Sequence, residues 1–129
     1  MALGRDCGAA RAQPGTYKLG QKVRDDPGSP EIVRLTNIYL AEEEYSALLL
    51  LPAAELRKTR SQTFWADRAV AIDRFHGRLD GLMLSEVELL PEDPLLPMPP
   101  WAAEDVTNND RFSGGALAVA TDEAIEALL

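Results

Sequence analysis

Apolar and polar residues alternate along several stretches of this chain. Each alternation predicts a strand, because a strand turns successive side chains to opposite faces. From Thr16 to Arg24, Tyr17, Leu19, Gln21 and Val23 fall on one face and Lys18, Gly20, Lys22 and Arg24 on the other. Glu31 to Leu40 reads as a second strand with Arg34 and Thr36 on one face, after a turn dense in Asp, Gly, Ser and Pro. Ala41 to Leu51 reads as a helix, with acids in its first turn that suit the helix dipole, and Pro52 stops it. A third strand is predicted over Glu55–Gln62, with Lys58 and Arg60 on one face, and a fourth over Arg68–His76, where Asp73 shares a face with Ala71 and Phe75. Gly77 and Asp80-Gly81 bracket a tight hairpin connection into a fifth strand, Leu82–Leu90. Five prolines between Pro91 and Pro100 exclude regular structure there, and Thr121–Leu129 reads as a short helix capped by Thr121. Residues 1–15, rich in Gly, Ala and Arg without periodicity, are expected to be a flexible leader. The predicted order is ββαβββ with a closing helix, an α+β fold.

The charged positions give this pattern a chemical content. Glu86 and Glu88 project to one side of the fifth strand while Val87 and Leu89 project to the other. Two like charges on one face repel unless a cation lies between them. Lys58 and Arg60 form the opposite arrangement, a pair of cations suited to an anion. Together they point to a polar sheet face that holds a phosphate and a metal. The plainer alternative is an ordinary half-buried sheet whose charged face meets water.

Length and composition narrow the classes. At 129 residues, 46% of them hydrophobic and 26% charged, the chain suits a single globular domain over residues 16–129. Its longest apolar run, Ala47 to Ala54, is broken by Pro52 and falls far short of the roughly 20 residues that span a bilayer. No membrane partner is expected, and no secretory h-region opens the chain. One cysteine, Cys7, excludes an internal disulfide and fits a reducing, cytoplasmic setting. The net charge of −8 is unevenly spread: residues 1–78 carry 12 Lys/Arg against 10 Asp/Glu, and residues 79–129 carry Arg111 against 11 acids. That balance disfavours a nucleic-acid binder, which would show a basic excess.

Several runs in their order resemble one family. Tyr17-Lys18-Leu19-Gly20-Gln21-Lys22, Arg34-Leu35-Thr36-Asn37-Ile38-Tyr39-Leu40 and Arg57-Lys58-Thr59-Arg60 are similar to the later part of a CYTH domain. So are Ala71-Ile72-Asp73-Arg74-Phe75-His76-Gly77 and Ser85-Glu86-Val87-Glu88, and the tail containing Pro100-Trp101, Glu104-Asp105-Val106-Thr107 and Arg111-Phe112. The resemblance covers about residues 16–118. CYTH domains form the triphosphate tunnel metalloenzymes, among them adenylate cyclases, thiamine triphosphatases and inorganic triphosphatases. The resemblance implies an antiparallel β-barrel of the triphosphate-tunnel type with flanking helices. That barrel would be incomplete here, with about five strands, because the family's amino-terminal Glu-x-Glu-x-Lys strand is missing. It further implies that Lys22, Arg34, Lys58 and Arg60 bind phosphate, that Glu86, Glu88 and Asp73 face Mg²⁺ or Mn²⁺, and that the ligand is a triphosphate-containing small molecule. That molecule would be tripolyphosphate or a nucleoside or thiamine triphosphate. Hydrolysis of a phosphoric anhydride or cyclisation would follow; the alternatives are a non-catalytic module that binds polyphosphate or a nucleotide, or a truncated, inactive fragment. An open sheet edge near Tyr17 is expected to allow pairing with a second copy.

Three further residues admit two readings each. Asp73 suits a metal ligand or a group that orients Lys58, and equally a plain cross-strand salt bridge. His76, the one histidine, suits a turn position better than catalysis. Trp65 and Trp101 suit core plugs better than a stacking platform for a base.

Overall fold

A computed structural model describes residues 15–28 and 32–129 in full, and the backbone course of residues 7–13. Among the described residues, six strands form two three-stranded antiparallel sheets. The first holds β1 (Cys7–Gln13), β2 (Thr16–Val23) and β3 (Arg34–Leu40) in that spatial order; the second holds β4 (Lys58–Trp65), β5 (Arg68–Phe75) and β6 (Met83–Val87). Helix α1 (Glu42–Leu48) follows β3, and two short helices, α2 (Gly114–Val119) and α3 (Asp122–Glu126), lie near the end of the chain. Within the span expected to be one domain there are two compact units, one of residues up to Glu55 with Thr107–Ala118, the other of Leu56–Val106 with Val119–Leu129.

The α+β class and the antiparallel sheets agree with the sequence. The barrel differs: six strands divide into two separate sheets, and no closed barrel is present among the described residues. Part of the expected leader, Cys7–Gln13, runs as β1 along β2, while residues 1–6 and Pro14 lie outside the described residues. Tyr17 therefore sits on the middle strand of its sheet, and the edges are β1 and β3. The edge expected near Tyr17 is filled by β1. Among the described residues no helix is long and apolar enough to cross a membrane.

In the first unit Glu44 reaches back to accept a hydrogen bond from the Ala41 backbone N–H at 2.8 Å, which settles the start of α1. Three acids, Glu42, Glu43 and Glu44, occupy the positive end of its dipole. Tyr45 of α1 meets Tyr17 of β2 with ring centroids 4.7 Å apart. Leu35, Ile38 and Tyr39 of the edge strand β3 remain exposed.

The second unit holds a denser core. Val70, Phe75, Leu79, Leu82 and Ile125 are buried, each contributing on the order of 1.5–3 kcal/mol through loss of apolar surface to water. Strand β5 is the middle strand and is buried on both faces, Val70 on one and Asp73 with Phe75 on the other. A two-residue turn joins β4 to β5, with Ala66 at φ 50° and Asp67 at φ 59°. Positive φ at both central residues is the hairpin geometry that matches the twist of the flanking strands. The predicted hairpin from β5 to β6 is present, with a 3₁₀ turn at Gly77–Leu79 inside it. Gly81 completes that connection at φ 103°, a conformation open mainly to glycine. Arg78 fastens α3 to this turn by donating to Asp122 at 2.9 Å and to the Ala120 carbonyl at 2.6 Å. The opposite end is held by Trp101, whose indole N–H donates to Ser85 at 3.1 Å and whose ring meets Trp65 edge-on at 6.3 Å. The tryptophans thus pack on each other, and Trp101 on β6, but Trp101 stays 48% exposed and is not the core plug expected.

Candidate functional site

Register decides which charges of the second sheet can meet. Lys58 pairs with Phe75, Arg60 with Asp73, and Ala71 with Glu86, so all six side chains share one face. Asp73 stands at the centre, its side chain 1% exposed, while Lys58 and Arg60 remain 36% and 43% exposed. A buried carboxylate costs several kcal/mol unless it is paired. Here it is paired twice. Arg60 grips it in a two-pronged contact, Nε to Oδ1 at 2.7 Å and Nη2 to Oδ2 at 2.7 Å. Lys58 Nζ donates to Oδ2 at 2.5 Å, with its ammonium 5.9 Å from the Phe75 ring centroid.

The electrostatics follow from this geometry. Burial alone pushes the Asp73 carboxyl up, but the hydrogen bonds from Arg60 and Lys58, reinforced by their charges, hold it below the ordinary carboxylate range. The Asp73 hydrogen bond in turn raises the Arg60 guanidinium, against burial and with help from the nearby Glu86. Arg60 also donates from Nη2 to Glu86 Oε2 at 2.8 Å. That contact crosses β5 diagonally. Ala71, which lies beside Glu86 in the register, ends at its Cβ and leaves room for it. The Arg60 contacts use Nε and Nη2, and Lys58 gives one of its three donors to Asp73. Two fixed cations with donors to spare, half open to solvent, form an arrangement suited to an anion.

The other expected phosphate ligands are placed differently. Lys22 pairs with Leu35 and Arg34 with Val23, so the register turns Lys22 and Arg34 to opposite faces of the first sheet. The alternation within each strand holds, but the two strands are out of phase by one residue. Arg34 instead forms an ion pair with Asp25 at 3.1 Å, with both side chains about two-thirds exposed.

The expected metal set of Glu86, Glu88 and Asp73 does not assemble. Among the described residues no three His, Cys, Asp or Glu side chains come together in a group able to hold a metal ion. Both oxygens of Asp73 are taken by cations, so it does not fit as a ligand for Mg²⁺ or Mn²⁺. It forms ion pairs with Lys58 and Arg60 instead, an arrangement that suits both the orienting role and a plain cross-strand salt bridge. Glu88 lies one residue past the end of β6 and is exposed. Glu86 and Glu88 fit only as the one or two carboxylates that Mg²⁺ takes beside the oxygens of a substrate phosphate.

Two contacts escaped the sequence reading. His76 Nε2 lies 2.7 Å from Thr59 Oγ1, a pairing that only the β4–β5 register reveals. The Arg60–Glu86 bridge was hidden because it joins residues far apart in sequence on non-adjacent strands. The small Ala71 between two polar strands was the one signal for it.

An inorganic triphosphatase from Nitrosomonas europaea is 42% identical to this chain over 78 residues, 55% of this chain and 51% of the relative. The chain thus spans about half the length of the curated relative it matches. No family model matches it. No solved structure matches it significantly. The likeness to a triphosphatase therefore covers part of each protein, over a chain whose second sheet carries an ordered pair of cations.

Proposed function

We propose that this chain is a CYTH-like triphosphate-binding domain acting in phosphoric anhydride hydrolysis, with Lys58 and Arg60 as its principal phosphate ligands. One observation carries the reading: a buried carboxylate, Asp73, holds both cations on one sheet face with donors left over. Prepositioned cations lose little freedom when an anion arrives, and they stabilise charge that grows on a phosphoryl group as it transfers. The partial likeness to an inorganic triphosphatase supports hydrolysis over cyclisation and a small triphosphate as the ligand. The triphosphate-tunnel type of fold belongs to the same reading, since a three-stranded antiparallel sheet with a charged face is the material of such a wall.

When bound, Mg²⁺ or Mn²⁺ would screen phosphate charge, with Glu86 and Glu88 as its protein donors. The chain's own residues do the remainder: Arg60 and Lys58 bind and orient the phosphate, and Asp73 holds both of them in place. Binding without turnover is the second reading, favoured by the commitment of Asp73 to the cations and not to a metal.

The test is calorimetric titration with tripolyphosphate, followed by a phosphate-release assay with and without magnesium or manganese. Salt-sensitive binding that weakens at least tenfold in Arg60→Ala is expected, the loss being that of a charge-assisted hydrogen bond. Release of phosphate would then support hydrolysis, and binding with no release would support the second reading. A chain indifferent to tripolyphosphate overturns both.

A further inference from the structure

We propose that Glu86 is a displaceable counter-ion of Arg60, and that an incoming phosphate binds by taking its place. This rests on the triphosphate-binding reading and adds to it how the empty site is held and what limits its affinity. Arg60 bridges two carboxylates through the same nitrogen, Nη2, at 2.7 Å to Asp73 and 2.8 Å to Glu86. The two contacts are not equivalent. Asp73 is buried, is gripped through both of its oxygens, and is shared with Lys58. Glu86 contributes one oxygen, its side chain is 50% exposed, and it reaches Arg60 diagonally across β5. An exposed, single-pronged ion pair is the weaker of the two and the easier to exchange.

The charges make the exchange necessary. Lys58 and Arg60 are balanced by Asp73 and Glu86, so the four groups together carry no net charge. A polyphosphate approaching Arg60 meets the Glu86 carboxylate on the same guanidinium edge, and two anions there repel. Release of Glu86 frees an Nη2 N–H and leaves Lys58 and Arg60 with one excess positive charge. Asp73 stays, because its departure would leave a carboxylate buried and unpaired. Phosphate, with several oxygens and more charge, outbids a single carboxylate oxygen for a planar guanidinium. The Glu86–Arg60 contact therefore holds the cation in its binding geometry when the site is empty, at the cost of competing with the ligand.

Titrations of tripolyphosphate in EDTA, free of divalent cations, separate this from any role of Glu86 toward a metal. Glu86→Gln should bind about two- to fivefold more tightly than wild type, the range expected for release from one exposed ion pair. Glu92→Gln, which removes a charge elsewhere in the same unit, should leave the affinity unchanged. If Glu86→Gln binds with unchanged or weaker affinity while Arg60→Ala still weakens binding at least tenfold, the exchange is overturned and the triphosphate reading stands. If wild type itself shows no binding, the triphosphate reading fails and takes the exchange with it. A circular-dichroism melt of each variant checks that the fold is kept. As a second measurement, Glu86→Asp, with a shorter reach, should also bind more tightly than wild type, and weaker binding would count against the exchange.

Discussion

On the second sheet, register places Arg60 opposite Asp73 and Lys58 two pairs away on the same face; on the first, it sets Lys22 beside Leu35 and Arg34 beside Val23. Both sheets carry cations at alternate positions of their strands. One gathers them around a buried carboxylate, and the other turns them to opposite sides. The difference lies in the phase between strands, because a shift of one residue moves a whole set of side chains to the other face. It has an energetic side as well. Asp73 is buried and must remain paired, whereas the Arg34–Asp25 pair is exposed and screened by water and salt.

The largest expected effect comes from removing the centre of the second sheet. Asp73→Asn should lower stability by about 2 kcal/mol, since it leaves two partly buried cations without their shared partner. Asp25→Asn should cost less than about 0.5 kcal/mol. Denaturant unfolding followed by the fluorescence of Trp65 and Trp101 makes the comparison, and equal losses in the two variants would erase the distinction between the sheets.

Next in size is ligand affinity. Arg60→Ala is expected to weaken tripolyphosphate binding at least tenfold, a loss of about 1.4 kcal/mol or more, and Arg34→Ala about threefold or less. Calorimetry that found the larger loss at Arg34 would move the principal site to the first sheet.

Acid sharpens the same contrast. Because Asp73 is held below the ordinary carboxylate range, the unfolded chain takes up its proton at a higher pH than the folded chain does. Its contribution to stability is therefore complete above about pH 5 and is lost as pH falls through about 4 and below. Wild type should lose stability over that window, and Asp73→Asn, already without the carboxylate, should lose less. Melts between about pH 2 and 7 measure both, and parallel acid limbs in the two proteins would show that Asp73 does not carry the effect.

The smallest effect is local. Asp67→Gly in the β4–β5 turn should stabilise by about 0.5–1 kcal/mol, or about 3–5 °C, because glycine accepts the positive φ without strain. A lower melting temperature would show that the Asp67 side chain contributes more than the backbone conformation costs.

Most elements were legible from the chain because their signals are local. Alternation marked β2, β5 and β6 to within a few residues, Pro52 marked the stop after α1, and Thr121 marked the start of α3, where its hydroxyl accepts from the Ala124 N–H at 3.2 Å. Strand β1 was missed because Cys7–Gln13, a run of small residues with Arg11 and Gln13, shows no two-residue period; pairing with β2 defines it. Of the candidate site, Lys58, Arg60 and Asp73 were legible as polar positions on one face of each strand. What Asp73 does was not: a carboxylate reads alike as a metal ligand or as an ion-pair partner until its neighbours across the sheet are known.

By itself, then, the sequence determined the strand-forming stretches, the breaks between them, the uneven charge and the residues able to meet a phosphate. These depend on backbone periodicity and side-chain chemistry, which act over a few neighbouring positions. The tertiary structure alone decided that the strands form two sheets, that Lys22 and Arg34 diverge, that Asp73 is spent on cations, and that Glu86 leans across β5 onto Arg60. Those outcomes depend on register and on which strands are neighbours, both set by long-range pairing and burial that no short stretch of sequence encodes.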